Sequence, residues 1–579
     1  MNYGLSTTGR NPSASPVPGG TARDSGPGFL QLGTEVTPGE GVVPATPAPG
    51  EGVAPATGVR TTRSDAGAVA SSWWGRVVGV EVPAWLPLLV VLVVQAVASV
   101  RLVAADTAFQ DEATYLWAGH LEWAHLLHGW PVPPFASYFS GAPVIYPPLG
   151  ALADSVAGLA GARLLSLVFM LGSTVLVWDV SRRLSGRRAA FFSAALFALL
   201  GPTLHLGAFA TYDALSVFLV AAAAWCAASA REGSEAAGRM AAAGALLALA
   251  NATAYSTALF DPVVVIVALL IALPSGPRVA ARRCAALVMV LAALLIAGLL
   301  LGGSTYLSGV EQTTLARAPG SDPVLAVLGD AWTWTGVVLV LAVCGVITSW
   351  ATHRGARHTW LMAILAAAAL LGPLEQANLH TLAALNKHIG LGAWFAAIAA
   401  GYAADTFIAA APAGRSRTLT CAACVIALAF PATFGITQSW TFSTSWPSSA
   451  SFIAIFRPLT SHTPGHLLVE DPTIAEYYLP AGHTWQRWSS TRNIVLPTGA
   501  STGHPAKATG VTGPGDPAAF ARYIAEGYFS LVALNYADTT TLDHTIHADL
   551  ARNHHYRIAQ VIPYGTHGTY IIYRYKAPQ

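Results

Sequence analysis

FQDEATY, residues 109–115, sets Asp111 and Glu112 side by side directly after the first long apolar run of the chain. A third acid, Asp213, stands in HLGAFATYDALSVF, and ALNKHIGLGAW carries Lys387 followed by His388. A carboxylate within hydrogen-bond reach of a hydroxyl serves as a general base. Ionisable groups close to hydrocarbon are costly and mark function more often than chance. Each residue also has a plainer reading. Acids at helix starts complement the dipole, and a lysine at a membrane edge snorkels. Lys387 is the only lysine before the C-terminal region, which makes the plain reading of it less comfortable. What these groups do depends on the elements that position them.

The chain of 579 residues is 54% hydrophobic and 10% charged, with a mean hydropathy of +0.50. Soluble domains carry about 25% charged residues, so this composition excludes a single soluble globule and requires an integral membrane protein. A net charge of +2 gives no basis for a nucleic-acid partner. Heavy use of Ala, Gly and Arg points to a bacterial plasma membrane as its setting.

Residues 1–80 are rich in Gly, Pro, Ala, Thr and Ser without a periodic apolar face, the signature of a disordered tail. Apolar runs follow near 83–104, 162–179, 189–206, 213–230, 240–255, 259–273, 284–302, 331–350, 359–372, 389–406 and 418–436. A span needs ~20 apolar residues, so about eleven transmembrane helices are expected. The stretch 240–273, interrupted by NATAYSTALFDP, reads either as one kinked span or as a hairpin of two short ones. Basic loops decide between them. SRRLSGRR, REGSEAAGR, PRVAARR, THRGARH and GRSR all fall on the side of Arg60, Arg63 and Arg76 only if 240–273 is a hairpin. Retention of Lys and Arg in the cytoplasm then gives a cytoplasmic N-terminus. The same topology puts loop 105–160, the turn near 205–213, loops 302–330 and 373–388, and residues 437–579 on the opposite face.

Loop 105–160 is long for a membrane connection, and long ordered loops are usually functional. ATYLWAGHLEWAHLLHG reads as an amphipathic helix along the interface, and YPPLG as a rigid turn into the next span. In residues 437–579, HLLVE reads as a strand, PAAFARYIAEGY as a helix, SLVALN as a strand and TTTLDHTIHADLARN as a helix. YRIAQVIPYG and GTYIIYRYK close as a hairpin. This alternation predicts a small extracytoplasmic α/β domain. Cys421 and Cys424 form a CxxC at helical spacing without a second pair, which fits small apolar residues of a span. His544, His547, His554 and His555 lack an accompanying thiol or paired acid and fit an exposed helix face.

An acidic pair in a DEAxY motif after the first span, a PPL turn and an Asp heading a later span together resemble the GT-C glycosyltransferases. More narrowly, they are similar to the protein O-mannosyltransferase and aminoarabinose transferase branch, over roughly residues 83–436. The resemblance implies a polytopic α-helical enzyme that transfers a sugar, mannose or another hexose or pentose, from a polyprenyl-phosphate donor to an acceptor hydroxyl on the outer face, with inversion. Its acceptor would be a polysaccharide, a lipid or a protein, and membrane lipid would surround it. Asp111 matches the family's catalytic acid, Glu112 would orient the acceptor or support Asp111, and Asp213 matches the second acid of the cavity. Lys387 would meet the donor phosphate, with His388 and Arg317 as further contacts, and Tyr115, Tyr146 and Tyr212 would line the cavity. Asp111 and Asp213 could also offer oxygen ligands to a divalent cation, Mg or Mn, which not every member of the family needs. One departure is that Tyr146 precedes the PPL where the aminoarabinose branch carries a basic residue, which argues against an anionic substrate. Two other classes remain open: a non-catalytic GT-C-like scaffold of a polysaccharide synthase, and a transporter or flippase, for which repeated halves would be expected.

Overall fold

Hydrocarbon offers no partner to a backbone N–H or C=O, so an apolar segment that crosses a membrane must satisfy its own, as a helix does. The computed structural model describes residues 83–230, 234–492, 494, 516–565 and 568–576. The expected tail 1–80, with Arg60, Arg63 and Arg76, lies outside the described residues. The membrane portion comprises α1 (Leu86–Val100), α2 (Gln110–His128), α3 (Tyr146–Ser185), α4 (Arg187–Ala198), α5 (Gly201–Leu206), α6 (Tyr212–Ser229) and α7 (Ser234–Thr253). It continues through α8 (Asp261–Ala272), α9 (Pro277–Val310), α10 (Val324–Ala351), α11 (Ala356–Asn378), α12 (Leu385–Ala410), α13 (Arg415–Ala427) and α14 (Ala429–Ser443).

Eight helical stretches among the described residues are long and apolar enough to cross a membrane. The chain is a multi-pass membrane protein. Three of the expected spans take other forms. Helix α1 has 15 residues, α4 has 12 and is parted from α5 by Leu200 in an extended conformation, and α7 is not among the eight. The stretch 240–273 is two helices, with α7 joined to α8 through a 3-10 segment, Tyr255–Phe260. The YPPLG segment differs from the expected turn, because helix α3 begins at Tyr146 itself. Proline in a first turn gives up only an N–H that would have no intrahelical partner. The helix then kinks at Ala157 and Gly158, where Gly158 has φ 62°. Helix α12 runs through the middle of the bundle, its residues buried almost continuously from Leu385 to Ala403. The Trp394 indole there donates to the Ser173 carbonyl at 2.9 Å. Small Ala and Gly faces allow such close approach in membrane bundles.

The C-terminal portion adds α15 (Ala450–Ser461), β1 (His466–Val469), α16 (Thr473–Tyr478), β2 (Trp488–Ser489), α17 (Pro517–Ala525), β3 (Phe529–Leu534), α18 (Thr540–Arg552), β4 (Tyr556–Pro563) and β5 (Thr569–Tyr575). The five-stranded sheet has the order β2-β1-β3-β5-β4. Strands β1, β2 and β3 are parallel, and β5 and β4 form the expected antiparallel hairpin. Strand residues alternate between two faces. Leu467, Val469 and Ile572 bury against Phe452 and Phe456 of α15. Leu468, Val532 and Tyr573 bury against Phe520 of α17 and Ile546 of α18. This is an α/β domain with helices on both faces. His547 is not free on a helix face: the Tyr573 and Tyr536 hydroxyls lie 2.6 and 2.9 Å from its Nδ1.

Candidate active site at the first turns of three helices

Asp111 and Glu112 occupy the first turn of α2, and successive residues on a helix point about 100° apart. The two carboxylates therefore leave the helix in different directions. Asp111 is paired with the Lys387 ammonium from the first turn of α12. Glu112 turns inward and is fully buried. Its Oε2 accepts the Phe109 N–H at 2.9 Å, a carboxylate at the third helical position reaching back to the cap.

Glu112 also forms a bidentate pair with Arg163 of α3, at 2.8 Å to Nε and 2.6 Å to Nη2. The Ala210 N–H reaches Glu112 Oε1 at 2.8 Å. Arg163, 2% exposed, further donates to the carbonyls of Val103 at 2.8 Å, Asp106 at 3.0 Å and Thr107 at 3.3 Å. One ion pair thus ties together the end of the first span, the start of α2, helix α3 and the turn that leads into Asp213. With four hydrogen bonds, the Glu112 carboxylate has its acceptor capacity filled. It braces the loop that carries Asp111, and its four acceptor positions are taken.

Asp213 stands in the first turn of α6, buried, its Oδ2 accepting the Thr211 hydroxyl at 2.7 Å. It and Asp111 are the acidic neighbours of the Lys387 charge. The Lys387 ammonium also lies 5.5 Å from the centroid of the Phe209 ring, a cation–π distance. Tyr115 packs against Tyr212 and Tyr146 with ring centroids 4.8 and 6.2 Å apart. Tyr115 and Tyr146 are buried within this cluster, whereas Tyr212 is half-buried. The first turns of α2, α6 and α12 thereby converge, and helix N-termini favour an anion.

His388 and Arg317 gather elsewhere. His388 Nδ1 is 3.0 Å from Glu375 and 2.8 Å from the Gln376 amide on α11, and Arg317 is an electrostatic neighbour of Glu375. No hydrogen bond or ion pair among the described residues joins either to Asp111 or Asp213. Among the described residues Asp111, in contact with the Lys387 ammonium, and Asp213 are the acids beside that charge. Among the described residues no group of three His, Cys, Asp or Glu side chains is arranged to hold a metal ion.

The C-terminal domain closes over the same loop. Gln110 contacts Asp471, and the Ala108 N–H donates to the Tyr478 hydroxyl at 2.8 Å. The Trp117 indole donates to the Gly482 carbonyl at 3.1 Å. Tyr477 donates to Asp154 at 2.6 Å, and Asp154 also contacts His120 at 2.7 Å. Sequence reasoning missed Arg163, although an arginine inside an apolar run is itself a signal. It also missed Gln110, Asp471 and Tyr478, which meet over separations no local pattern encodes.

Residues 151–301 match the family described as dolichyl-phosphate-mannose-protein mannosyltransferase. No curated protein is a significant match to the sequence. Among solved structures, the chain is similar to ArnT from Cupriavidus metallidurans bound to undecaprenyl phosphate. The TM-score is 0.55 at 16% identity, over 85% of this chain and 99% of that one. It is also similar to the oligosaccharyltransferase AglB from Archaeoglobus fulgidus in complex with an inhibitory peptide and a dolichol-phosphate. There the TM-score is 0.50 at 13% identity, over 86% of this chain and 74% of that one. The chain shares the fold of these two membrane proteins. The family match begins at Ala151 and includes both Arg163 and Asp213. Asp111, Glu112 and Lys387 lie outside it.

Proposed function

We propose that the protein is a membrane glycosyltransferase that takes a sugar from a polyprenyl-phosphate donor and passes it to an acceptor hydroxyl, at the face where loop 105–160 and the C-terminal domain meet. The observation that carries this reading is the Asp111–Lys387 contact, which sets a base beside a cation where helix N-termini converge. The undecaprenyl phosphate bound to ArnT and the dolichol-phosphate bound to AglB are the matching ligand class.

In the reaction the acceptor oxygen attacks the sugar's anomeric carbon while the bond from that carbon to the phosphate oxygen breaks. The hydroxyl proton passes to Asp111, and the electron pair leaves with the lipid phosphate, whose charge Lys387 meets. Attack opposite the leaving group inverts the anomeric centre. Asp213 adds a second negative charge near the ammonium, and Glu112 with Arg163 fixes the loop that aims Asp111. By the distribution of basic loops, this face is extracytoplasmic. With no basic residue before the PPL, a neutral hexose or pentose, mannose included, fits better than an anionic sugar.

The test is transfer of label from polyprenyl-phosphate mannose, arabinose and glucose in membranes expressing wild type, Asp111→Asn or Lys387→Met. Each variant should lose transfer by about 10²–10³, the usual cost of removing one group that stabilises transition-state charge. Folded wild type inactive with every donor, or variants as active as wild type, would favour a scaffold.

A further inference from the structure

Phe209 lies in the turn between α5 and α6, buried, with its ring centroid 5.5 Å from the Lys387 ammonium. Three other rings hold it there. The Glu112 carboxylate accepts the N–H groups of Phe109 and Ala210 at 2.9 and 2.8 Å. This fixes the backbone at or beside both phenylalanines, whose rings stand 5.8 Å apart. Trp446, from the segment between α14 and α15, packs 5.1 Å from Phe109 and 6.0 Å from Phe209. Its indole donates to the Thr107 carbonyl at 2.9 Å. The His205 ring is the third neighbour of Phe209, at 4.6 Å, and its Nδ1 is 3.0 Å from the Ser443 hydroxyl.

Aromatic clusters stabilise by packing alone, and packing would account for these rings if no charge lay beside them. Lys387 is 8% exposed, and cation–π attraction is strongest where the cation is desolvated. The lysine stem is flexible, so the ammonium stays where its partners put it. Those partners differ in one respect that bears on the chemistry. Asp111 contacts the ammonium and, as the base of the proposed reaction, becomes neutral when it takes the acceptor's proton. Its hold on Lys387 weakens at the moment when the departing phosphate gains charge. Asp213 keeps its charge, but among the described residues it makes no hydrogen bond to the ammonium. The Phe209 ring takes no proton, so its attraction persists through the transfer. Being neutral, it also leaves the positive charge free for the phosphate.

We infer that Phe209 is a positioning residue whose ring keeps the Lys387 ammonium in place for the lipid phosphate while Asp111 is protonated. Trp446 braces that ring from the segment that leads into the C-terminal domain, so the domain supports the cation as well as the Asp111 loop. The inference rests on the glycosyltransferase reading for the proton that neutralises Asp111. The contact between ring and ammonium stands without it.

Asp111→Asn imitates the protonated acid, and the chain has only three lysines, so the ammonium can be followed by NMR. The full chain in nanodiscs carries lysine labelled with carbon-13 at Cε, and Lys387→Met identifies the Lys387 signal. Protons over a ring face resonate upfield. The Lys387 signal should therefore lie upfield in wild type and in Asp111→Asn, and move downfield when Phe209→Leu is added to either. Undecaprenyl phosphate binding is measured on the same samples. Phe209→Leu alone should change it less than about twofold, because Asp111 still holds the ammonium, and should weaken it about tenfold in the Asp111→Asn background. Phe209→Tyr, which keeps a ring, should bind close to wild type in both backgrounds. In transfer, Phe209→Leu should lower kcat about tenfold and leave the donor KM within about twofold. If Phe209→Leu does not fold, difluorophenylalanine at position 209 keeps the shape, weakens the negative face of the ring and should weaken lipid phosphate binding by Asp111→Asn in the same direction. The inference is overturned if the Lys387 signal is not upfield in Asp111→Asn, or if neither change to the ring weakens lipid phosphate binding in that background. Wild type that binds no undecaprenyl phosphate would instead count against the proposed donor, with the Lys387 signal still deciding whether the ring holds the ammonium.

Discussion

Replacing Arg163 with Met removes the guanidinium that Glu112 needs and leaves a fully buried carboxylate with only the Phe109 and Ala210 N–H groups. Breaking a buried ion pair from one side costs ~3–5 kcal/mol, because the remaining charge stays desolvated. The carbonyls of Val103, Asp106 and Thr107 lose their donor in the same step, which places Arg163→Met at the upper end. Arg163→Lys keeps the charge but replaces a planar fork by a point donor, so several of these bonds go and ~1–3 kcal/mol is expected. Glu112→Gln combined with Arg163→Met removes both charges. It should recover ~2 kcal/mol relative to the sum of the single variants. Sugar transfer should nonetheless stay lost in the double variant, because nothing then ties the Asp111 loop to the turn before Asp213. The assay is unfolding of the purified full chain in mixed micelles titrated with SDS, with transfer measured on the same samples. An Arg163→Met protein within ~1 kcal/mol of wild type would refute the reasoning, since that is the size of a solvated surface pair. So would a double variant that transfers normally.

Two further predictions concern stability. Asp543 of α18 is buried, and burial, followed by the charge of Glu470, pushes its carboxyl up to about 8. A raised folded-state value means that the folded domain holds the proton more tightly than the unfolded chain. This contribution is present below about pH 4, where both states are protonated, and is lost as pH rises towards the folded value. Glu470 anchors the loop after β3 through the N–H groups of Asn535, Tyr536, Asp538 and Thr539. Hydrogen exchange of that loop should therefore speed up with pH beyond its intrinsic dependence. Asp543→Asn should flatten this excess, and an unchanged excess would count against the pair. Separately, Gly119→Ala should destabilise the α2–α3 contact by ~1–3 kcal/mol, because its Cβ would stand 1.9 Å from the Pro147 carbonyl oxygen. The same SDS titration measures it, and a neutral result would show that α2 shifts freely on α3.

Much of this protein follows from sequence alone for a simple reason. Hydrophobic runs act locally, so the multi-pass helical architecture, the break inside 240–273 and several strands and helices of the C-terminal domain can be read residue by residue. Asp111, Asp213 and Lys387 stood out because charge is rare in such a chain. Tertiary structure decided what adjacent residues do. Glu112 differs from Asp111 by one helical step, yet a step of about 100° sends one carboxylate to a buried arginine and the other to Lys387. His388 parts from Lys387 in the same way, towards Glu375. Where Arg163 finds Glu112, and where Asp471 and Tyr478 meet α2, depends on chain segments far apart in sequence. Such meetings are fixed by packing, which no local pattern carries.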